Sequence, residues 1–155
     1  METEAEQRAV ANADIIALSE VWYLMQDIVS LEKRREWQRE RMSSMAQHLS
    51  GMPGGGAPAG LDTAFAEVSE LEERHRMMVE RYCKMLSRAE AIINGIENTN
   101  MQTFVRMMYL DNVPAREVRM RLNMTRRTFE RARKAVEQAP NMASVKWRDH
   151  FFLKK

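Results

Sequence analysis

The chain has 155 residues, 45% of them hydrophobic and 30% charged, with a formal net charge of +2. That size fits one domain, or a small domain with an extension, and it disfavours the deep cleft of a large enzyme. No apolar run approaches the roughly eighteen residues of a membrane span, and Cys83, alone, excludes an internal disulfide and fits a reducing compartment.

The start METEAEQRAV is acidic and polar and lacks the features of a secretory signal, so a cytoplasmic location is expected. Between Val10 and Ser50 there is neither glycine nor proline. Val21, Leu24, Ile28, Leu31, Arg35, Gln38, Met42, Met45 and Leu49 keep heptad spacing with two polar interruptions, which predicts a long helix. The stretch GMPGGGAPAG, residues 51–60, holds five of the six glycines and two prolines and reads as a flexible loop. Its glycines are not a phosphate-binding loop, since no Lys-Ser/Thr follows and no strand precedes.

A second long helix is expected from Asp62, as N-cap, to Asn94. Leu61, Ala64, Val68, Leu71, His75, Met78, Tyr82, Met85, Ala89, Ile92 and Ile96 form its stripe, widened by Phe65, Val79, Leu86 and Ile93. Cys83 is expected as a small residue on or near the core. Two such helices joined by a glycine loop fold back most simply as an antiparallel, coiled-coil-like hairpin. A turn centred near residue 55 brings Arg35 and Gln38 close to Glu72 and His75, a polar layer that would fix register. His48, His75 and His150 lie too far apart, without acidic or thiol partners at ligand spacing, to argue for a metal. No sequence feature calls for a cofactor.

Asn94-Gly95 ends the second helix. Asn100–Leu110 is helical again, with Phe104, Val105, Met108 and Tyr109 as its apolar set, and Asp111-Asn112 stops it. Pro114 suits the first position of a helix running to Leu122 that buries Ala115, Val118 and Leu122. Asn123 tolerates the turn, and Thr125 caps the next helix, with Met124 and Phe129 spaced as a hydrophobic staple. That helix runs to Gln138, with Phe129, Ala132 and Val136 facing inward and Arg126, Arg127, Glu130, Arg131 and Lys134 facing out.

The charge is unevenly spread. Residues 1–99 hold 11 Lys+Arg and 17 Asp+Glu, a net of −6, whereas residues 100–155 hold 13 and 5, a net of +8. A short helix, a tight turn and a capped basic helix form a helix-turn-helix, whose second helix enters the DNA major groove. Arginine grips guanine there through paired hydrogen bonds, so Arg126, Arg127 and Arg131 are the candidates for base or groove contact. Glu130 either accepts from cytosine or pairs with a neighbouring arginine. Lys134, Arg133, Arg116 and Arg106 are the candidates for phosphate contact, which positions without specifying.

Residues 96–138 resemble the C-terminal promoter-reading helix-turn-helix of bacterial sigma factors. The likeness rests on the Phe104-Val105…Tyr109-Leu110 helix, the Asp111-Asn112 break, Val118 and Leu122, and the Met124-Thr125-Arg126 entry. The whole layout (helical arm, Gly/Pro loop, second helix, sigma-like module) is similar to that of the ArpU/RinA-like phage transcriptional regulators. Arg119 stands where the sigma pattern has a small residue, Arg133 where it has an apolar one, and Asn123 where glycine is common. Long arginine stems can lie over apolar surface with their charge in solvent, so the fold tolerates both departures.

The tail, 139–155, ends the basic helix at Ala139-Pro140-Asn141. It combines Trp147, Phe151 and Phe152 with Lys146, Arg148, Lys154 and Lys155. It is expected either as a short helix packing its aromatics inward or as a docking surface for RNA polymerase or a second subunit. The expected fold is therefore all-α: a helical hairpin arm at 1–95, a sigma-like helix-turn-helix DNA-binding domain at 96–138, and a basic aromatic tail at 139–155. The resemblance implies a transcriptional regulator of phage or prophage type in a bacterial host cell, binding double-stranded DNA as a homodimer through the arm. A DNA-packaging accessory resembling a small terminase subunit and a coiled-coil adaptor without DNA are the alternatives. An enzyme is least expected, since no nucleophile–base pair, carboxylate dyad or cofactor loop is present.

Overall fold

The computed structural model describes residues 12–49 and 60–152. The acidic start, the loop apart from Gly60, and Lys154 and Lys155 lie outside them. Among the described residues the protein is all helical. Helix α1 spans Ala13–Leu49 and α2 Leu61–Asn94. Helix α3 covers Thr99–Val105 and runs into a π turn at Arg106–Leu110. Helix α4 is Ala115–Arg121 and α5 is Arg126–Gln138. Two 3₁₀ turns follow, Met142–Ser144 and Asp149–Phe151. The long helices α1 and α2 pack against each other as a hairpin. None of the described helices is long and apolar enough to cross a membrane.

The fold has two compact units, one formed by the described residues of 1–23 and 84–155, the other by those of 24–83. In the second unit Leu24, Ile28, Leu31 and Ala64 are buried along the seam, as their spacing dictates. The polar layer is present with altered pairing. Arg35 Nη1 lies 3.3 Å from His75 Nδ1, and His75 Nε2 lies 3.1 Å from Glu32 Oε1. Gln38 donates to Glu67 at 3.3 Å, and Glu72 is taken by Arg39 instead of Arg35. The pairs descend on one helix as they rise on the other, so the helices run antiparallel.

Three expectations for α2 change. The helix starts at Leu61, so Asp62 sits inside the first turn, where its charge meets the positive helix end, and does not cap it. Phe65 is 55% exposed because it lies to one side of the seam marked by Ala64 and Val68. Cys83 is also exposed.

The other unit is built on the start of α1 up to Tyr23, the end of α2 and the described residues after it. Asn12 caps α1: its Oδ1 accepts from Asp14 N at 3.0 Å and its carbonyl from Ile15 N at 2.9 Å. Leu18, Val21, Ala89 and Ile93 from the long helices join Phe104, Val105, Val118, Phe129 and Val136 in the core. Three aromatic rings meet edge to face, Phe104 against Phe129 at 5.8 Å and against Trp147 at 6.2 Å. Such pairs add about 0.5–1.5 kcal/mol beyond the area they bury.

Helix α3 begins one residue before Asn100, capped by the Asn98 side chain, which accepts from Asn100 N and Met101 N. Its apolar set shifts as well: Met107 and Leu110 are buried, whereas Met108 and Tyr109 are half-buried. The π turn explains the shift, because an extra residue per turn rotates every later side chain around the axis. Asp111 N bonds back to Arg106 O at 2.8 Å, five residues away.

Candidate nucleic-acid interface

Helix α4 opens after Pro114, which is extended at φ −56°, ψ 138° and serves as N-cap instead of first helical residue. Its carbonyl accepts from Glu117 N and Val118 N at 2.9 and 3.1 Å. Val118 is fully buried, Leu122 is half-buried and Ala115, the first residue of the helix, is exposed. The helix ends in a Schellman motif. Asn123 adopts φ 53°, Met124 N bonds to Arg119 O at 2.8 Å, and Asn123 N to Met120 O at 3.3 Å. Asparagine is one of the few residues with a side chain that enters this left-handed region at low cost.

Thr125 then caps α5, its Oγ1 accepting from Thr128 N at 3.2 Å. Met124 and Phe129 are both buried, as a staple requires. Phe129, Ala132 and Val136 face the core, and Arg126, Arg127, Arg131 and Lys134 are exposed. Two contacts from the start of α1 hold the far end of α5. Asn12 Nδ2 donates to Val136 O at 3.0 Å, and Asp14 Oδ2 accepts from Met142 N at 2.7 Å. Neither contact is marked in the sequence, because a lone Asn and Asp near a helix start read only as capping residues.

The cations of this unit fall into two sets. Arg106 is bidentate to Glu90, at 2.7 and 2.5 Å. Its guanidinium holds the Glu90 carboxyl below the usual glutamate range, and its own pKa rises in return. Arg121 pairs with Glu117 one turn back. Arg133 lies between Glu130 at 3.1 Å and Glu137 at 3.4 Å, so Glu130 is engaged along its own helix. By contrast, Arg116, Arg126, Arg127, Arg131 and Lys134 have no carboxylate partner among the described side chains. The structure thus separates Arg106, Arg133 and Glu130, already held, from Arg116, Arg126, Arg127, Arg131 and Lys134, which remain available.

Arg119 is half-buried, with its Nε enclosed and unpartnered, the consequence of a long side chain at the crossing of the two helices. Tyr109 is a second case: its hydroxyl is enclosed without a partner, and burial, reinforced by the Glu137 charge, pushes its pKa well up.

These elements define the class: an all-helical protein with a helical hairpin and a capped helix–turn–helix pair whose outer face is basic. The family model described as "Protein of unknown function (DUF1492)" matches residues 42–141, well over half of the chain, and the chain belongs to that family. No curated protein and no solved structure matches it.

Proposed function

We propose that this protein is a sequence-specific DNA-binding transcriptional regulator of phage or prophage type, akin to the ArpU/RinA-like group, which reads the major groove with α5. One observation carries the reading. The outward face of α5 keeps Arg126, Arg127, Arg131 and Lys134 exposed and free of carboxylates, while other arginines of the same unit are neutralised in ion pairs. Exposed, uncompensated cations on a rigid capped helix are what a polyanion needs, and the turn orients the first turns of that helix toward base edges. Arg126, Arg127 and Arg131 are assigned to groove contact, and Lys134 and Arg116 to phosphates.

The working state is a homodimer, since helix-turn-helix proteins commonly read two half-sites. Exposed Trp37, Phe65 and Met77 on the arm favour pairing there. The acidic first 99 residues suit contact with RNA polymerase or a second subunit better than contact with DNA.

The test is binding of the full chain to random duplex across a salt series. Two phosphate contacts per chain, four in the dimer, weaken affinity on the order of a hundred-fold between about 50 and 200 mM salt. No retention of duplex at low salt would sink the reading. Selection of bound fragments from the neighbouring genome then decides the role: promoters support regulation, whereas a packaging site supports the small-terminase alternative.

A further inference from the structure

Beside the helix–turn–helix pair, α5 and the tail enclose an open groove of about 670 Å³. Arg131, Lys134 and Gln138 line it from α5, at helical spacing on one face, and Lys146, Arg148 and His150 line it from the tail. The tail backbone explains its own contribution. Residues 145–148 carry no regular structure, and Val145 is extended at φ −64°, ψ 126°. Trp147 N bonds back to Val145 O at 3.1 Å, a tight turn about Lys146. Val145 is buried and Trp147 turns onto Phe104, while Lys146 and Arg148 are exposed. The 3₁₀ turn Asp149–Phe151 packs on α5, with Phe151 buried, and holds this segment in place.

Four fixed cations thus line one groove, and no carboxylate is among the lining residues. None of the four has an ion-pair partner among the described side chains. Such a cluster repels itself unless an anion sits in it. Arg131 and Lys134 belong both to the groove and to the outward face of α5, so the groove continues that face. Phe151 in the lining is buried, and the His150 ring beside it is set edge to face against Phe151 at 5.2 Å.

We propose that this groove takes the phosphodiester backbone of duplex DNA flanking the major groove that α5 enters. Lys146 and Arg148 are then backbone-contact residues, and the footprint extends past the helix–turn–helix pair. A helix lying in a major groove about 12 Å wide has a phosphate row on either side, and a second basic wall beside α5 meets one of them. The proposal rests on the DNA-reading assignment of α5.

Its test compares the full-length chain with a Lys146→Ala/Arg148→Ala double variant and with Arg148→Lys, measuring affinity for random duplex across a salt series. The double variant should bind all sequences at least on the order of tenfold more weakly at physiological salt, with a log–log salt slope shallower by about two for each chain bound. Arg148→Lys should keep the wild-type slope, and far-UV circular dichroism should show equal helicity in all three. Wild-type binding with an unchanged slope in the double variant overturns the groove assignment and leaves that of α5 standing. Absence of wild-type binding overturns both. Binding of added pyrophosphate by the wild-type chain that the double substitution abolishes, without a change in the DNA slope, would make the occupant a small anion and also overturn the proposal.

Discussion

The buried side-chain amide of Asn12 donates a hydrogen bond to the carbonyl oxygen of Val136, 124 positions away. The same side chain caps α1 through Asp14 N. Removing it uncaps one helix and leaves the Val136 carbonyl of another with only the longer bond from Ala139 N, at 3.3 Å. Asn12→Ala should therefore cost about 1–3 kcal/mol, combining a lost cap with a lost buried hydrogen bond. Urea unfolding checks this, and a midpoint equal to wild type would show that water replaces the contact.

Phe129 is almost fully buried and meets Phe104 edge to face. Phe129→Ala should cost about 3–5 kcal/mol, through lost burial and the cavity left behind. Phe129→Leu should recover most of that loss. Thermal melts of both variants decide the matter, and a loss under about 1 kcal/mol for alanine would mean that the three-ring cluster is not the core of this unit.

Glu90 and Arg106 give a pH dependence with a fixed sign. The folded-state pKa of Glu90 lies below its ordinary value, with the Arg106 hydrogen bonds as the leading cause. Its contribution is fully present above the unfolded pKa of about 4.3 and fades as pH falls through the folded value. Both side chains are more than a third exposed, so screening limits the pair to about 1 kcal/mol. Glu90→Gln should be less stable than wild type at neutral pH, with the two converging in acid. A stability difference that is constant down to strongly acidic pH would remove the ion pair as its source.

Gln38 is buried at the arm's seam with its Oε1 unpartnered, although its amide reaches Glu67. Replacing it with a shape-matched apolar residue removes an unsatisfied acceptor. Gln38→Leu should stabilise the arm by about 1 kcal/mol. Polar seam residues also fix register, so the variant should show broader amide resonances or mixed association states. A fall in stability would assign Gln38 a partner that outweighs its burial.

On DNA, Arg127→Ala should lose sequence preference, whereas Lys134→Ala should weaken all sites about equally. Competition assays with a selected site and random duplex separate the two. Equal loss on both duplexes in Arg127→Ala would confine that arginine to phosphate contact.

The parts legible in the sequence were those governed by local rules. The bounds of helix α5 were legible because Thr125 caps it and Ala139-Pro140 ends it. Asn112 and Asn123 announced both left-handed turns, which the backbone shows at φ 50° and 53°. The Arg35–His75 contact followed from one assumption about where the hairpin turns. Contacts over long separations were illegible, as with Asn12 and Val136, because nothing local to either residue encodes the other. The π turn was missed for a related reason: Arg106–Leu110 has ordinary helical composition, and packing alone chooses the wider turn. In the interface, exposure of Arg126, Arg127, Arg131 and Lys134 came from periodicity. The capture of Arg106 by Glu90 depended on a helix junction that periodicity does not position.

The unit carrying α5 is discontinuous in the chain, since it needs residues near 12–23 as well as those after 84. Ribosomal synthesis therefore completes its two halves at very different times. The segment 24–83 has its partners at hand early, while the Asn12 amide waits for Val136 to emerge. Contacts of such high sequence separation form late and slowly. A nascent chain therefore leaves the far end of α5 unclamped until Val136 and Met142 have emerged. A fragment cut to 96–138 carries the same short helices without the Asn12 contact and without the core residues that the long helices supply.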